Sequence, residues 1–151
     1  VSLPYSMLSK AQQRKVVAVV KGHLLTPLGL RSLSPKDNNY IGRYCGTPYE
    51  RDRAYHQGTV WAWLIGPYLS AYARAYAGEQ ETIPYIKRLF LPFHAHVSDA
   101  GLGTISEIFD GNYPHIPRGC ISQAWSVGEI LRAYYENTCT DERMPEGYGL
   151  P

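Results

Sequence analysis

The 151-residue sequence is poor in cysteine and has no long apolar run, and each scarcity excludes a class of protein. Its three cysteines, Cys45, Cys120 and Cys139, are far apart and form no CxxC pair, which argues against a disulfide framework and predicts reduced thiols. No apolar run reaches the ~18 residues that a membrane-spanning helix needs, and the first residues lack the basic and apolar regions of a secretory signal. We therefore expect a soluble, cytoplasmic protein, and we expect the start at Val1 to reflect processing or a piece of a longer chain.

Neither sign of charge dominates the sequence, which has 15 Lys and Arg against 13 Asp and Glu, a formal net charge of +2. Lys and Arg form no block, so neither nucleic acid nor a membrane surface is indicated as a partner. Hydrophobic residues make up 44% of the chain, which is enough for one domain with its own core. The 13 Tyr and 3 Trp suit a carbohydrate cleft, because each combines an apolar body with a polar tip, although core packing explains the same composition.

Four segments have the length or spacing of helices, and none reads as a strand, so the sequence predicts an all-α fold. The helices are predicted over 10–25, 59–77, 79–97 and 122–137. Pro67 is expected to kink the second helix, and Ser122 is the expected N-cap of the last one. The inner side of the last helix is predicted to carry Ala124, Trp125, Val127, Leu131 and Tyr134.

Two long segments between the helices, 28–58 and 98–121, are predicted as loops. Loops of that length are usually functional or disordered. Loops that leave a helical bundle at the same end meet at one rim, where a cleft can form.

Glu107 is the most distinctive residue of the second loop, because its carboxylate has small and apolar neighbours in the segment Gly101–Gly111. Partial desolvation would raise its basicity and suit it to proton transfer. Asp110 follows three residues later, but two acids on one short loop tend to face the same side of a substrate. A hydrogen bond to a sugar or to the loop backbone is the role predicted for Asp110.

The first loop ends in a segment rich in aromatic and hydrogen-bonding side chains. His56 and Gln57 can donate to and accept from neighbouring sugar hydroxyls. Tyr55, Trp61 or Trp63 can stack on the apolar face of a pyranose, although the tryptophans can equally pack between helices. Together with Glu107, these residues indicate a sugar-cleaving site.

Other polar groups have more than one interpretation. The run Arg51-Asp52-Arg53 suits either an ion-pair network that fixes the loop or contacts with a substrate. His94 and His96 are two positions apart on a predicted helix, so they point to different faces and make a poor metal pair. The sequence therefore predicts no metal site and no cofactor.

Five motifs follow one another in order along the chain. They are Leu25-Thr-Pro-Leu-Gly-Leu-Arg-Ser-Leu-Ser-Pro35, Tyr40-Ile-Gly-Arg-Tyr44, Tyr55-His-Gln-Gly-Thr-Val-Trp61, Gly103-Thr-Ile-Ser-Glu-Ile-Phe-Asp110 and Arg118-Gly-Cys-Ile-Ser-Gln-Ala-Trp-Ser126. Over residues 2–135 this series resembles the C-terminal part of the glycogen debranching enzymes, specifically their amylo-α-1,6-glucosidase domain. The resemblance implies an (α/α)6 barrel of about twelve helices, of which a chain with about four helices covers the last third. We expect residues 1–138 to form that portion and residues 139–151 to form a loose tail.

The resemblance also implies roles for individual residues. Glu107 matches the general base of an inverting glycosidase, whose general acid belongs to a Trp-Met-Asp-Ala motif that this sequence does not contain. Gln123 and Trp125 match the family's Gln-Ala-Trp-Ser element near the site, with core packing as the rival role for Trp125. The implied substrate is an α-glucan such as glycogen or a limit dextrin, and the chain by itself is expected to be inactive.

Two alternatives stay open at this point. The parent enzyme could be a related α-glucosidase with another linkage preference, or the chain could be a helical carbohydrate-binding piece without catalysis. The partners that we expect are the remainder of the barrel, or other copies of the chain that dock on exposed helix faces.

Overall fold

A computed structural model describes residues 1–139, and within them helices and a small sheet pack together. The helices are α1 (Lys10–His23), α2 (Pro48–His56), α3 (Ile65–Ala75), α4 (Thr82–Asp99) and α5 (Ala124–Thr138). The strands are β1 (Leu25–Thr26), β2 (Gly29–Arg31), β3 (Val60–Trp61), β4 (Ile108–Phe109) and β5 (Pro117–Arg118). The predicted tail lies outside the described residues, apart from Cys139.

The expectation of an all-α fold holds only in part, because short strands form an antiparallel sheet. Strands β2, β4 and β5 lie in the two predicted loops, whereas β1 lies at the end of the first predicted helix and β3 at the start of the second. Within the described residues this sheet has five strands in the order β1-β2-β3-β4-β5. Each strand has only two or three residues, which is too short for the alternation of apolar and polar residues from which strands are predicted. The helical content agrees with a glycosidase domain, while the (α/α)6 barrel stays a prediction.

Helix α2 was not predicted, although the sequence carries a signal for it. Thr47 is the N-cap, Pro48 occupies the first turn, and the side chain of Glu50 accepts a hydrogen bond from the backbone N–H of Thr47. This pattern is a capping box with proline at the first helical position, a recognised helix start. The long loop 28–58 is therefore partly helical.

The predicted helix over 59–77 begins later than expected. Val60 and Trp61 belong to β3, a short 3-10 turn follows over Ala62–Leu64, and α3 begins at Ile65. Pro67 thus lies in the first turn of α3. Backbone N–H groups in the first turn have no acceptor within the helix, so a proline there removes no helical hydrogen bond. The proline is compatible with the helix start, and the expected interruption in mid-helix does not occur.

The predicted inner face of α5 is largely wrong, although Val127 does pack against the core. Trp125 is 49% exposed and Leu131 is 64% exposed. The inward side of α5 carries Ser126, Ile130 and Ala133. Serine and alanine are small and only weakly hydrophobic, so an apolar pattern does not mark them as buried. The N-cap is Gln123 rather than Ser122, because the side-chain oxygen of Gln123 accepts from the N–H of Ala124.

Helix α3 lies at the centre of the core and packs against α1, α4 and α5. Ile65 and Leu69 on α3 are almost fully buried, and Val17, Ile86 and Ile130 reach the same core from the other three helices. Val60 and Phe109 join the sheet to this core. Within residues 1–139, no helix has the length and apolarity to cross a membrane.

Candidate functional site

Strand pairing brings the two long loops together. In the ladder between β3 and β4, Val60 is paired with Phe109 and Trp61 with Ile108. The residues just before β3 therefore lie next to the residues that flank β4, and a hydrogen bond joins Tyr55 to Glu107. The expectation that the loops meet is confirmed, but backbone pairing brings them together.

Glu107 is buried, and both oxygens of its carboxylate accept hydrogen bonds. Oε1 accepts from the hydroxyl of Tyr55, and Oε2 accepts from the backbone N–H of Cys120 at 2.8 Å. Burial acts to raise the pKa of Glu107, but the bonds from Tyr55 and Cys120 favour the ionised form, and the pKa lies below its ordinary value. The expected rise in basicity is therefore wrong, because the sequence does not show these donors.

The hydroxyl of Tyr55 and the thiol of Cys120, which lie beside Glu107, both have raised pKa values. Burial and the bond to Glu107 raise the pKa of Tyr55. The hydrogen bond and the negative charge of Glu107 raise the pKa of the Cys120 thiol, which is exposed to solvent. At neutral pH the cluster is thus one carboxylate with neutral donors around it, and the carboxylate can accept a proton.

Glu107 opens onto a cavity of about 330 Å³. The cavity is lined by Tyr44, Pro48, Arg51, Asp52, Tyr55 and Glu107. Most of these residues come from α2 and the segment before it, so the unpredicted helix forms much of the cavity wall. Tyr44 is the addition that sequence reasoning did not consider for the site, whereas Arg51 and Asp52 were among the residues for which contacts with a substrate were left open.

Asp110 is buried beside the sheet and is tied to other residues. Arg118 donates to Oδ1 and Oδ2 of Asp110 at 3.3 and 3.1 Å, and the backbone N–H of Tyr44 donates to Oδ1 at 2.9 Å. The carboxylate thus joins the middle of the first loop to β5. Of the two roles predicted for Asp110, the structure shows a bond to the loop backbone, and the contact with a sugar stays a prediction.

An aromatic group extends from Tyr55 toward the surface. Trp61 is only 7% exposed, its indole N–H donates to the backbone oxygen of Tyr55 at 3.0 Å, and its ring meets Tyr55 edge-on at 4.5 Å between centroids. His56 is exposed and stacks on Trp61 with an interplanar angle of 11°. Trp125, half-exposed, contacts both Trp61 and Trp63 with centroid distances near 6 Å. Of these side chains, His56 and Trp125 are the exposed ones, while Tyr55 and Trp63 are partly buried.

The two glutamines take part in local structure. The backbone oxygen of Gln57 accepts from the N–H of Ile41 at 2.6 Å, where α2 ends. The side-chain oxygen of Gln57 is buried and has no hydrogen-bond partner within residues 1–139. The side chain of Gln123 caps α5, and its backbone N–H donates to Ile105 at 3.0 Å.

His96 has a structural partner. Its ring Nε2 accepts from the backbone N–H of Ser106 at 3.2 Å, directly before Glu107. Burial lowers the pKa of His96, while the charge of Asp99 acts to raise it. Among the described residues, no group of three or more His, Cys, Asp or Glu side chains is arranged to hold a metal ion.

The backbone N–H of Cys120 is the contact to Glu107 that sequence reasoning missed. It lies 13 positions from Glu107 in the sequence, and it reaches the carboxylate because β4 and β5 are paired. No side-chain pattern reports a backbone donor. The capping box at Thr47 and Glu50 is a sequence signal that could have predicted the start of α2, the helix that lines the cavity.

Known proteins match this chain over most of its length. A family model described as Amylo-alpha-1,6-glucosidase matches residues 1–132. The glycogen debranching enzyme of Saccharomyces cerevisiae is 24% identical over 141 aligned residues, which cover 81% of the chain. The chain spans only 9% of that enzyme's length.

Proposed function

The chain belongs to the amylo-alpha-1,6-glucosidase family, and from that membership we propose that it supplies the water-activating base of a glycoside hydrolase. The proposed enzyme removes α-1,6-linked glucose from branch stubs of an α-glucan, such as glycogen or a limit dextrin. The name of the yeast relative, a glycogen debranching enzyme, supports that substrate class. A cytoplasmic location stays a prediction.

The observation that carries this proposal is the position of Glu107 at a cavity of about 330 Å³. With a pKa below its ordinary value, the carboxylate is ionised at neutral pH and can accept a proton, although the lowering makes it a weaker base. A carboxylate offers about four lone-pair sites, so the bonds from Tyr55 and Cys120 leave capacity for a water molecule.

In the proposed reaction Glu107 takes a proton from water as the water oxygen bonds to the anomeric carbon. The glycosidic C–O bond breaks, and the leaving oxygen receives a proton from a general acid on the other side of the sugar. Inverting enzymes place the two carboxyl groups ~6.5–9.5 Å apart, so that water fits between them. We propose that the acid lies outside these 151 residues, because the family's Trp-Met-Asp-Ala motif is not among them.

Asp110 does not suit the role of the acid. Arg118 and the backbone N–H of Tyr44 occupy its carboxylate, which is buried. A general acid must reach the leaving oxygen of the substrate, and a buried carboxylate held by these partners is not free to do so. We propose that Asp110 holds the loops together and leaves the proton transfers to other groups.

The aromatic group suggests two kinds of role. We propose that His56 and Trp125 contact the sugar, because both are exposed near Trp61. In this proposal Trp61 and Tyr55 position Glu107 and do not contact the sugar. The indole of Trp61 holds the backbone of Tyr55, and the hydroxyl of Tyr55 holds the carboxylate. Gln57 stays a proposed sugar contact, since its buried side-chain oxygen has no partner within residues 1–139, whereas Gln123 is engaged in capping.

The test is Glu107→Gln in the complete enzyme, with glucose release from a limit dextrin as the measurement. The amide keeps the shape of the side chain but cannot take the proton from water, so we expect turnover to fall by about 10²–10⁴-fold. The matched control is Glu81→Gln, an exposed carboxylate at the start of α4 that makes one ion pair of 3.9 Å with Arg88. An unchanged melting temperature with more than about a tenth of turnover retained would contradict the role of Glu107.

A further inference from the structure

One face of α2 lines the cavity beside Glu107. Pro48, Arg51, Asp52 and Tyr55 occupy positions i, i+3, i+4 and i+7 of this helix, which is the spacing of a single helical face. All four of them line the cavity. A helix that presents one face to a cavity offers its side chains to whatever enters.

The charged residues of α2 divide into those with partners and those without. Glu50 belongs to the capping box at Thr47, and the guanidinium of Arg53 lies 6.0 Å from the ring centre of Tyr49. The side chains of Arg51 and Asp52 make no hydrogen bond or ion pair with any residue from 1 to 139. The ion-pair network that the sequence allowed for these residues is therefore absent from the described part of the chain.

The chemistry of this pair fits a sugar. A carboxylate accepts two O–H bonds and a guanidinium donates two N–H bonds in a planar fork, so each can engage two neighbouring hydroxyl groups of a pyranose. The cavity volume of about 330 Å³ falls within the range of small-molecule sites. Tyr55 lines the same cavity, but its hydroxyl is already bound to Glu107.

We propose that Arg51 and Asp52 bind the hydroxyl groups of the glucose unit that lies beside Glu107. The two residues hold the sugar by its hydroxyls, and Glu107 acts on water at the anomeric carbon. This assignment rests on the proposed function, since it takes the ligand of the cavity to be the glucose unit that is cleaved.

The first experiment measures glucose binding by titration calorimetry in the complete enzyme that carries Glu107→Gln. On that background we add Arg51→Gln or Asp52→Asn, with Arg53→Gln as the control on the same helix. We expect glucose affinity to fall about tenfold to a hundredfold with each of the first two changes, because each removes hydrogen bonds to a charged group. Arg53→Gln should leave the affinity unchanged, because Arg53 lines a different cavity.

Variants that keep the charge distinguish a lost sugar contact from a folding defect. Arg51→Lys and Asp52→Glu are expected to recover part of the affinity, and all variants should melt at the temperature of the parent because both side chains are exposed. Glucose affinity that is unchanged in both Arg51→Gln and Asp52→Asn would overturn the proposal. Failure of the Glu107→Gln enzyme to bind glucose at all would overturn it as well.

Kinetics in the otherwise unmodified enzyme separate binding from acid catalysis. Loss of a hydroxyl contact should lower kcat/KM and leave both limbs of the pH profile in place. If the Asp52→Asn enzyme binds glucose normally but its kcat/KM profile loses the alkaline limb, Asp52 is the proton donor and the binding role is overturned. Turnover that survives Glu107→Gln would instead refute the proposed base, and the calorimetric comparison would stand independently of that result.

Discussion

Two residues lower the pKa of Glu107 against the effect of burial. Tyr55 and Cys120 each donate to one oxygen of the carboxylate, and their donated bonds outweigh the effect of burial on the pKa. The same bonds fix the direction in which the carboxylate faces. Tyr55 is thereby a positioning residue in our proposal, whereas the sequence suggested that it stacks on a sugar.

Tyr55→Phe tests this role. Phenylalanine keeps the ring against Trp61 but removes the hydroxyl, so the pKa of Glu107 should rise because one donor to the charged form is lost. We expect the acidic limb of the kcat/KM profile of the complete enzyme to move to higher pH. Tyr49→Phe, on an exposed position of α2, is the control, and an acidic limb that stays in place would count against Tyr55 as a positioning residue.

The same bonds link stability to pH. The pKa of Glu107 in the folded protein lies below its ordinary value of 4.5, so its ionisation stabilises the fold above that pH. This contribution is lost as the pH falls through the lowered pKa of the folded state. Denaturant titrations at neutral and acidic pH should show a smaller acid-induced loss of stability for Tyr55→Phe than for the unmodified chain, and equal losses would contradict the link.

At the scale of elements, the sheet and a close backbone contact between two glycines join the loops. β3 pairs with β4, and Gly111, two residues after β4, packs directly against the carbonyl oxygen of Gly58. A Cβ on Gly111 would overlap this oxygen and the hydroxyl of Tyr40. The absence of a side chain therefore allows the segment that carries Glu107 to approach the segment that carries Tyr55.

Gly111→Ala should separate the loops. We expect it to lower the free energy of unfolding by about 1–3 kcal/mol, as overpacking of a close contact does. Gly22→Ala is the matched control, because Gly22 lies within α1 with no atom near the added methyl group, and there alanine should stabilise the helix by about 0.5–1 kcal/mol. Thermal or urea unfolding measures both changes, and equal effects of the two substitutions would show that the loop contact is not tight.

At the scale of the whole molecule, apolar side chains remain exposed on the outer faces of the helices. Leu91 on α4 is 65% exposed, Leu131 on α5 is 64% exposed, and Val19 on α1 is 60% exposed. Large apolar patches on soluble proteins commonly mark interaction sites. These faces are where we expect the remainder of a barrel to dock, or another copy of the chain when it is alone.

The chain alone is expected to self-associate and to release no glucose from a limit dextrin. Sedimentation velocity over a concentration series should show association that Leu131→Glu weakens, whereas Leu102→Glu, on an exposed turn, should not. A monomer at all concentrations would contradict the docking faces. Steady glucose release that Glu107→Gln abolishes would show that the acid lies within these residues, and it would bring Asp52 and Asp110 back as candidates.

The sequence by itself determined the family, the carboxylate of Glu107 as the leading candidate and the approximate extent of the longer helices. Helices of eleven or more residues show several turns of apolar spacing, as in α4, and the order of motifs is specific because it extends over most of the chain. Helical spacing and each motif depend on residues that are close together in the sequence, and the order of the motifs is itself a linear property. Both can therefore be recognised without the structure.

Tertiary structure alone decided the strands, the inner face of α5 and the direction of the pKa shift of Glu107. Two-residue strands have no period of their own and exist only because a partner strand supplies hydrogen bonds. The pKa of Glu107 depends on a hydroxyl 52 positions away and on a backbone N–H 13 positions away. Contacts between distant positions arise only when the chain folds, and for that reason the residue was identifiable from the sequence while its chemical environment was not.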